Sequence, residues 1–138
     1  MTQEDYVTYE VAKMLKGKGY DEECDAYYHN DNSNAYWGAN DDERFESCDG
    51  GFYNGNNFYR DAAPTLYEAQ KWLREKHTIH VDATPVLRSP FDEIPYVYWS
   101  YIICNTDTCM SHAMDDYTEF KTYEEALNAG IKKALEFI

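Results

Sequence analysis

Helical periodicity stops at Gly17 and resumes only at Pro64, and this gap constrains the fold more than any other feature of the chain. Before it, Val7, Val11, Met14 and Leu15 recur at helical spacing within residues 3–17, with Gly17 and Gly19 as the stop. Thr2 and Asp5 offer a cap to that helix. After the gap, Pro64-Thr65-Leu66-Tyr67-Glu68 opens a second helix. Thr65 and Glu68 make a capping box, in which each side chain satisfies a free backbone N–H. Leu66, Ala69, Trp72 and Leu73 form its buried stripe, and it should end near His77.

The gap itself, residues 20–61, is rich in Asp, Asn, Gly and Tyr, and Arg44 and Arg60 are its only basic residues. Short extended pieces are expected at Ala26–His29, Ala35–Trp37 and Phe52–Tyr59, separated by turn formers such as Asp49-Gly50-Gly51. Asn54-Gly55, set between Phe52-Tyr53 and Phe58-Tyr59, reads as a hairpin turn. So many aromatic rings argue for an ordered segment over a disordered one.

Beyond His77 the period changes. Ile79, Val81 and Ala83 alternate with His80, Asp82 and Thr84, so a strand is expected over Ile79–Val86, and Pro85 pushes the end of that strand toward an edge. Tyr96–Cys104 carries apolar bulk on both faces, as a central strand does. A return strand near Cys109–Ala113 follows. Thr122 and Glu125 form a second capping box and open a last helix with Leu127, Ile131, Ala134, Leu135 and Ile138 on one face. These elements predict an α+β class, a small antiparallel sheet packed by about three helices, in a single domain over 1–138.

Charge limits the function. Acidic residues number 26 against 12 basic ones, a formal net of −14. Such a field disfavours direct nucleic-acid or membrane binding and favours a partner with a basic surface, or a cation, although solubility alone also accounts for it. No leader or apolar span is read in the sequence, so a cytoplasmic protein is expected, with Cys24, Cys48, Cys104 and Cys109 as reduced thiols unless the chain meets an oxidising compartment.

Three clusters invite chemistry. His77 and His80 could bind a metal or share a proton, but an imidazolium at a helix C-terminus is explained by the helix dipole alone. Cys104, Cys109 and His112 are zinc-type donors, yet a closed site would need a distant fourth from Cys24, Cys48 or His29. Asn30-Asp31-Asn32-Ser33-Asn34 spaces oxygens as calcium loops do, but Ala35 stands where glycine is required and Asp41 where glutamate belongs. No hydrolase, P-loop, dinucleotide or zincin motif is present, so neither catalytic residue, metal nor cofactor is assigned.

The stronger lead is aromatic. Among the chain's 14 tyrosines, Tyr27, Tyr28, Tyr36, Tyr53 and Tyr59, with Trp37, alternate with small polar residues, the composition of adhesive surfaces. These are the candidate binding residues. Arg74, His77 and His80, with Lys76 and Arg88 near in sequence, are candidates to meet the phosphates of a nucleotide-like ligand.

Three stretches carry a resemblance: Val7–Tyr20, Ala63–Val81 with its Pro-Thr-Leu-Tyr-Glu-Ala-Gln-Lys-Trp-Leu signature, and Thr122–Leu135. Together they resemble an uncharacterised family of small proteins from phages and prophages of Bacteroides-type gut bacteria. The resemblance implies a virus-encoded accessory protein in the cytoplasm of a bacterial host cell, and supplies no catalytic residue or ligand. Three functions follow as expectations. One is an anti-defence inhibitor that mimics nucleic acid toward a basic host protein. The others are a sponge for a nucleotide-like signal and a virion-associated protein that forms homo-oligomers.

Overall fold

The computed structural model describes residues 2–30, 44–55, 57–91, 93–108 and 118–138, and the backbone of 110–113. Among them are three α-helices and two antiparallel three-stranded sheets, so the expected α+β class holds. The chain divides into two compact units, Met1–Ala69 and Gln70–Ile138.

The first unit begins with a 3-10 turn at Gln3–Asp5, closed by the Thr2 N–H on the Asp5 carboxylate at 2.8 Å. The helix expected over residues 3–17 starts later, as α1 (Tyr9–Gly17). Tertiary pairing overrides its first turns: Tyr6 bridges Thr65, and the Val7 N–H donates to the Pro64 carbonyl at 3.0 Å. Thr8 then caps α1 through the Val11 N–H. Val11, Ala12 and Leu15 are buried, each larger aliphatic chain contributing roughly 1.5–3 kcal/mol.

Its sheet has β1 (Cys24–His29) in the centre, with β2 (Phe45–Phe52) and β3 (Arg60–Ala62) on either side. The hairpin expected at Asn54-Gly55 is not formed, because β2 and β3 pair with β1 and not with each other. Asn54 is buried instead. Its amide donates to the Tyr20 carbonyl and accepts from the Ala62 N–H, both at 2.8 Å. That pair of long-range bonds outweighs the local turn preference. Asp49-Gly50-Gly51, expected to separate strands, lies inside β2. Register there runs from Ala26↔Ser47 to Cys24↔Phe52, so residues 48–51 bulge out, using the positive φ of Gly50 and Gly51.

The second unit is helix on sheet. Of α2 (Leu66–His77), the Thr65–Glu68 cap belongs to the first unit: the Glu68 N–H donates to Thr65 Oγ1 at 3.1 Å and the Thr65 hydroxyl to Glu68 Oε1 at 3.0 Å. The helix ends at His77 as expected. Strand β4 (Ile79–Arg88) runs two residues further than its alternation suggests and lies at the sheet edge that Pro85 requires. β5 (Tyr96–Asn105) is central, and β6 (Met110–Ala113) completes the order. On one sheet face lies α3 (Tyr123–Leu135), whose Leu127, Ile131, Ala134 and Leu135 are buried. Gly130 permits the approach: a Cβ there would sit 2.7 Å from Val81 Cγ1 and 2.9 Å from Tyr101 Cβ. Thr122 caps α3 through the Glu125 N–H, while the Glu125 carboxylate accepts from the Lys121 N–H.

Candidate binding surface

Alternation along β1 sorts the candidate tyrosines. Tyr28 is buried: its hydroxyl donates to the Val7 carbonyl at 2.7 Å and its ring meets Tyr9 and Phe45 edge-on. It is a core residue with a satisfied hydroxyl. Tyr27 projects to the opposite face, where it is buried too, at the centre of a cluster. Phe52 stacks on it with centroids 4.8 Å apart, His29 meets it edge-on at 5.2 Å, and the Arg60 guanidinium lies 4.8 Å from its ring centre. His29 Nε2 is 2.6 Å from Glu46 Oε2. Hydrogen bonding to His29, and next to the Tyr27 hydroxyl, holds the Glu46 carboxyl below its usual range, whereas burial first and Glu46 second push the Tyr27 phenol up.

The His29–Glu46 and Arg60–Tyr27 contacts were not visible in the sequence, where each pair is separated by many residues. Register explains them: β1 sets His29 opposite Arg60 and Tyr27 opposite Glu46. Only knowledge of both pairings would have found this cluster.

At the other end of the sheet an acidic, aromatic edge is built from backbone donors. Glu23 Oε1 accepts the Gly51 N–H at 2.8 Å, and Glu23 Oε2 accepts the Tyr53 hydroxyl at 3.5 Å. The Asp21 carboxylate accepts the Gly55 N–H at 2.9 Å. The nearby charge of Glu23 is the main cause that raises the Tyr53 phenol. Asp21, Glu22, Glu23 and Asp49 are exposed, as are Tyr53, Phe58 and Tyr59. Tyr53 and Tyr59 thus stand on the surface as expected. Tyr36, Trp37 and the strand expected at Ala35–Trp37 lie outside the described residues.

Beneath this surface the unit buries charge. The Lys16 ammonium donates to Asp61 Oδ1 at 3.0 Å, to the Arg60 carbonyl at 3.0 Å and to the Asn57 carbonyl. Asp61, itself buried, also accepts the Asn30 amide at 2.9 Å. Burial pushes the Cys24 thiol up to about 12, and pushes Tyr20 up further still. Burial and then a hydrogen bond to Asp25 raise Tyr6 to about 12. Desolvation also raises the Glu68 carboxyl.

The candidate cations do not converge. His77 ends α2 with its ring edge-on to Trp72 at 4.7 Å, and Arg74 is half-buried one turn earlier. His80 is exposed on β4 opposite Cys104. Arg88 sits at the far end of the same strand, roughly 26 Å from His80 at about 3.3 Å per residue. Register sets Ser111 opposite Cys104 and His112 opposite Ile103, and Cys109 lies outside the described residues. Residues 31–34 of the calcium-like string do too. Among the described residues no group of three or more His, Cys, Asp or Glu could hold a metal ion.

Comparison with known proteins finds no matching family model, no similar curated protein and no similar solved structure. Among the described residues no helix is long and apolar enough to cross a membrane, which leaves β-barrel crossing unaddressed.

Proposed function

We propose that this chain is a non-enzymatic accessory binding protein that engages a basic surface on a host protein through the acidic, aromatic edge of its first unit. The observation that carries the reading is Glu23. Its carboxylate accepts the Gly51 N–H at 2.8 Å and lies 3.5 Å from the Tyr53 hydroxyl, so an anchored charge and an aromatic ring stand side by side on the exposed edge. Preorganised aromatic anchors bind with little loss of side-chain entropy. The net charge of −14 supplies long-range attraction to a groove that normally holds phosphates. In the bacterial setting implied by the sequence resemblance, such a protein would act as a phage-encoded anti-defence inhibitor.

Affinity capture from host lysate at graded salt tests the reading. The retained protein should be a basic nucleic-acid-binding protein, its retention should fall steeply with ionic strength, and duplex DNA should displace it. Glu23→Gln combined with Tyr53→Ala should abolish most of the retention. A partner that ignores both salt and DNA overturns the proposal.

A further inference from the structure

Strands β4 and β5 meet in a hairpin whose last register pair is Arg88 with Tyr96. Its base is braced. The Arg88 guanidinium lies 5.6 Å from the Tyr98 ring centre and 3.5 Å from Glu119 Oε1, and the Tyr96 hydroxyl donates to the Glu119 carboxylate at 3.2 Å. Pro90 and Pro95 fix φ near both ends of the connecting loop. Within it the Glu93 N–H donates to the Pro90 carbonyl at 3.3 Å and closes a turn.

On this brace Phe91 is 100 % exposed and Ile94 87 %, with Leu87 at 70 % and Val97 at 54 % beside them. Single exposed apolar residues are ordinary, but here Phe91 and Ile94 stand in one short loop and the register pair Leu87 and Val97 is exposed just below it, so apolar side chains are concentrated at this end of the hairpin. A loop that served only to join two strands would carry polar turn formers at those places.

We infer that the hairpin tip is a docking wedge, with Phe91 and Ile94 entering an apolar pocket whose rim is basic, on a partner protein. The rim follows from charge. Residues 89–95 include no basic side chain, Glu93 is exposed, and Arg88 is matched by Glu119. A second copy of the chain brings the same net charge of −14 and the same acidic tip, and an anionic membrane repels both. This wedge belongs to the second unit and does not rest on the acidic edge of the first.

The test places the photo-crosslinking residue p-benzoylphenylalanine at position 91 of the full chain, in the cells that naturally express it. One dominant protein adduct is expected, mapping by mass spectrometry to an apolar peptide flanked by Lys or Arg. Ile94→Ser should lower its yield about ten- to a hundredfold, the effect of losing one buried aliphatic anchor. The unfolding midpoint should stay unchanged, because Ile94 is exposed. No adduct, an adduct only with lipid or with a second copy of the chain, or a yield indifferent to Ile94→Ser overturns the wedge. The same probe at position 53 reports on the acidic edge, so the two proposals fail separately.

Discussion

Both units bury aliphatic side chains, but beside Val7, Val11 and Leu15 the first also removes Asp61, Asn54, Tyr20, Tyr28 and Cys24 from water, whereas the second buries Ile79, Val81, Ile103, Leu127, Ile131 and Leu135 with Gln70 as its buried polar residue among those described. The first unit spends hydrogen bonds to do so: Tyr28 on Val7, Asn54 on Tyr20 and Ala62, Lys16 on Asp61. The second relies on close contact, most tightly where Gly130 meets Val81 and Tyr101. A polar interior is sensitive to lost partners and to pH, because an unpaired buried group is costly. An aliphatic one is sensitive to volume.

Substitutions can break that contrast. Lys16→Met should have the largest effect, destabilising by about 3–5 kcal/mol, since it leaves the buried Asp61 carboxylate without its cation. Urea denaturation measures it, and Lys16→Met with Asp61→Leu should recover most of the loss. If Lys16→Met alone is neutral, the first unit does not depend on its buried pair.

Alkali should act on the first unit next. The neutral Cys24 thiol is favoured by burial, so its contribution is complete below the ordinary thiol value of 9.0 and is lost as pH rises from there through about 12. Three pH units at 1.36 kcal/mol each set a ceiling on the order of 4 kcal/mol. Cys24→Ala should make the stability profile less steep over that window and remove its onset between pH 9 and 10, the raised Tyr6 and Tyr20 phenols supplying the slope that remains above pH 10, as followed by denaturant melts at stepped pH. An unchanged slope would mean the thiol is not the titrating group.

Volume should matter most in the second unit. Gly130→Ala places a methyl against Val81 and Tyr101 and should cost about 1–3 kcal/mol, seen as a lowered melting temperature. A stabilised variant would show that the interface has room to spare. The smallest effect is expected at Thr78, the one described non-glycine residue at positive φ (57°). Thr78→Gly should stabilise by about 0.5–1 kcal/mol by relieving its β-branched strain, net of lost hydroxyl bonds to His77 and Asn105.

The two units also differ in how far they could be read in advance. In the second, the end of α2 at His77, the strand of β4 with its Pro85 end toward an edge, the central place of β5 and the Thr122 cap were all legible, because apolar period and capping are local properties. In the first, the start of α1, the β2 bulge and the absent Asn54-Gly55 hairpin were not. Each is decided by a partner distant in sequence: Thr65 for Tyr6, Cys24 for Phe52, Tyr20 and Ala62 for Asn54.

The site divides the same way. Composition alone established an acidic, tyrosine-rich chain and located that character in residues 20–61, since charge and ring content survive any fold. It could not separate Tyr27 and Tyr28, adjacent in sequence but on opposite faces of β1, nor bring Glu46 to His29. Nor did it mark Phe91 and Ile94, whose exposure depends on a hairpin braced by Glu119. Period and charge are written residue by residue; which face of β1 each buried tyrosine packs against, and with which partners, is settled only by strand register, a property of pairs.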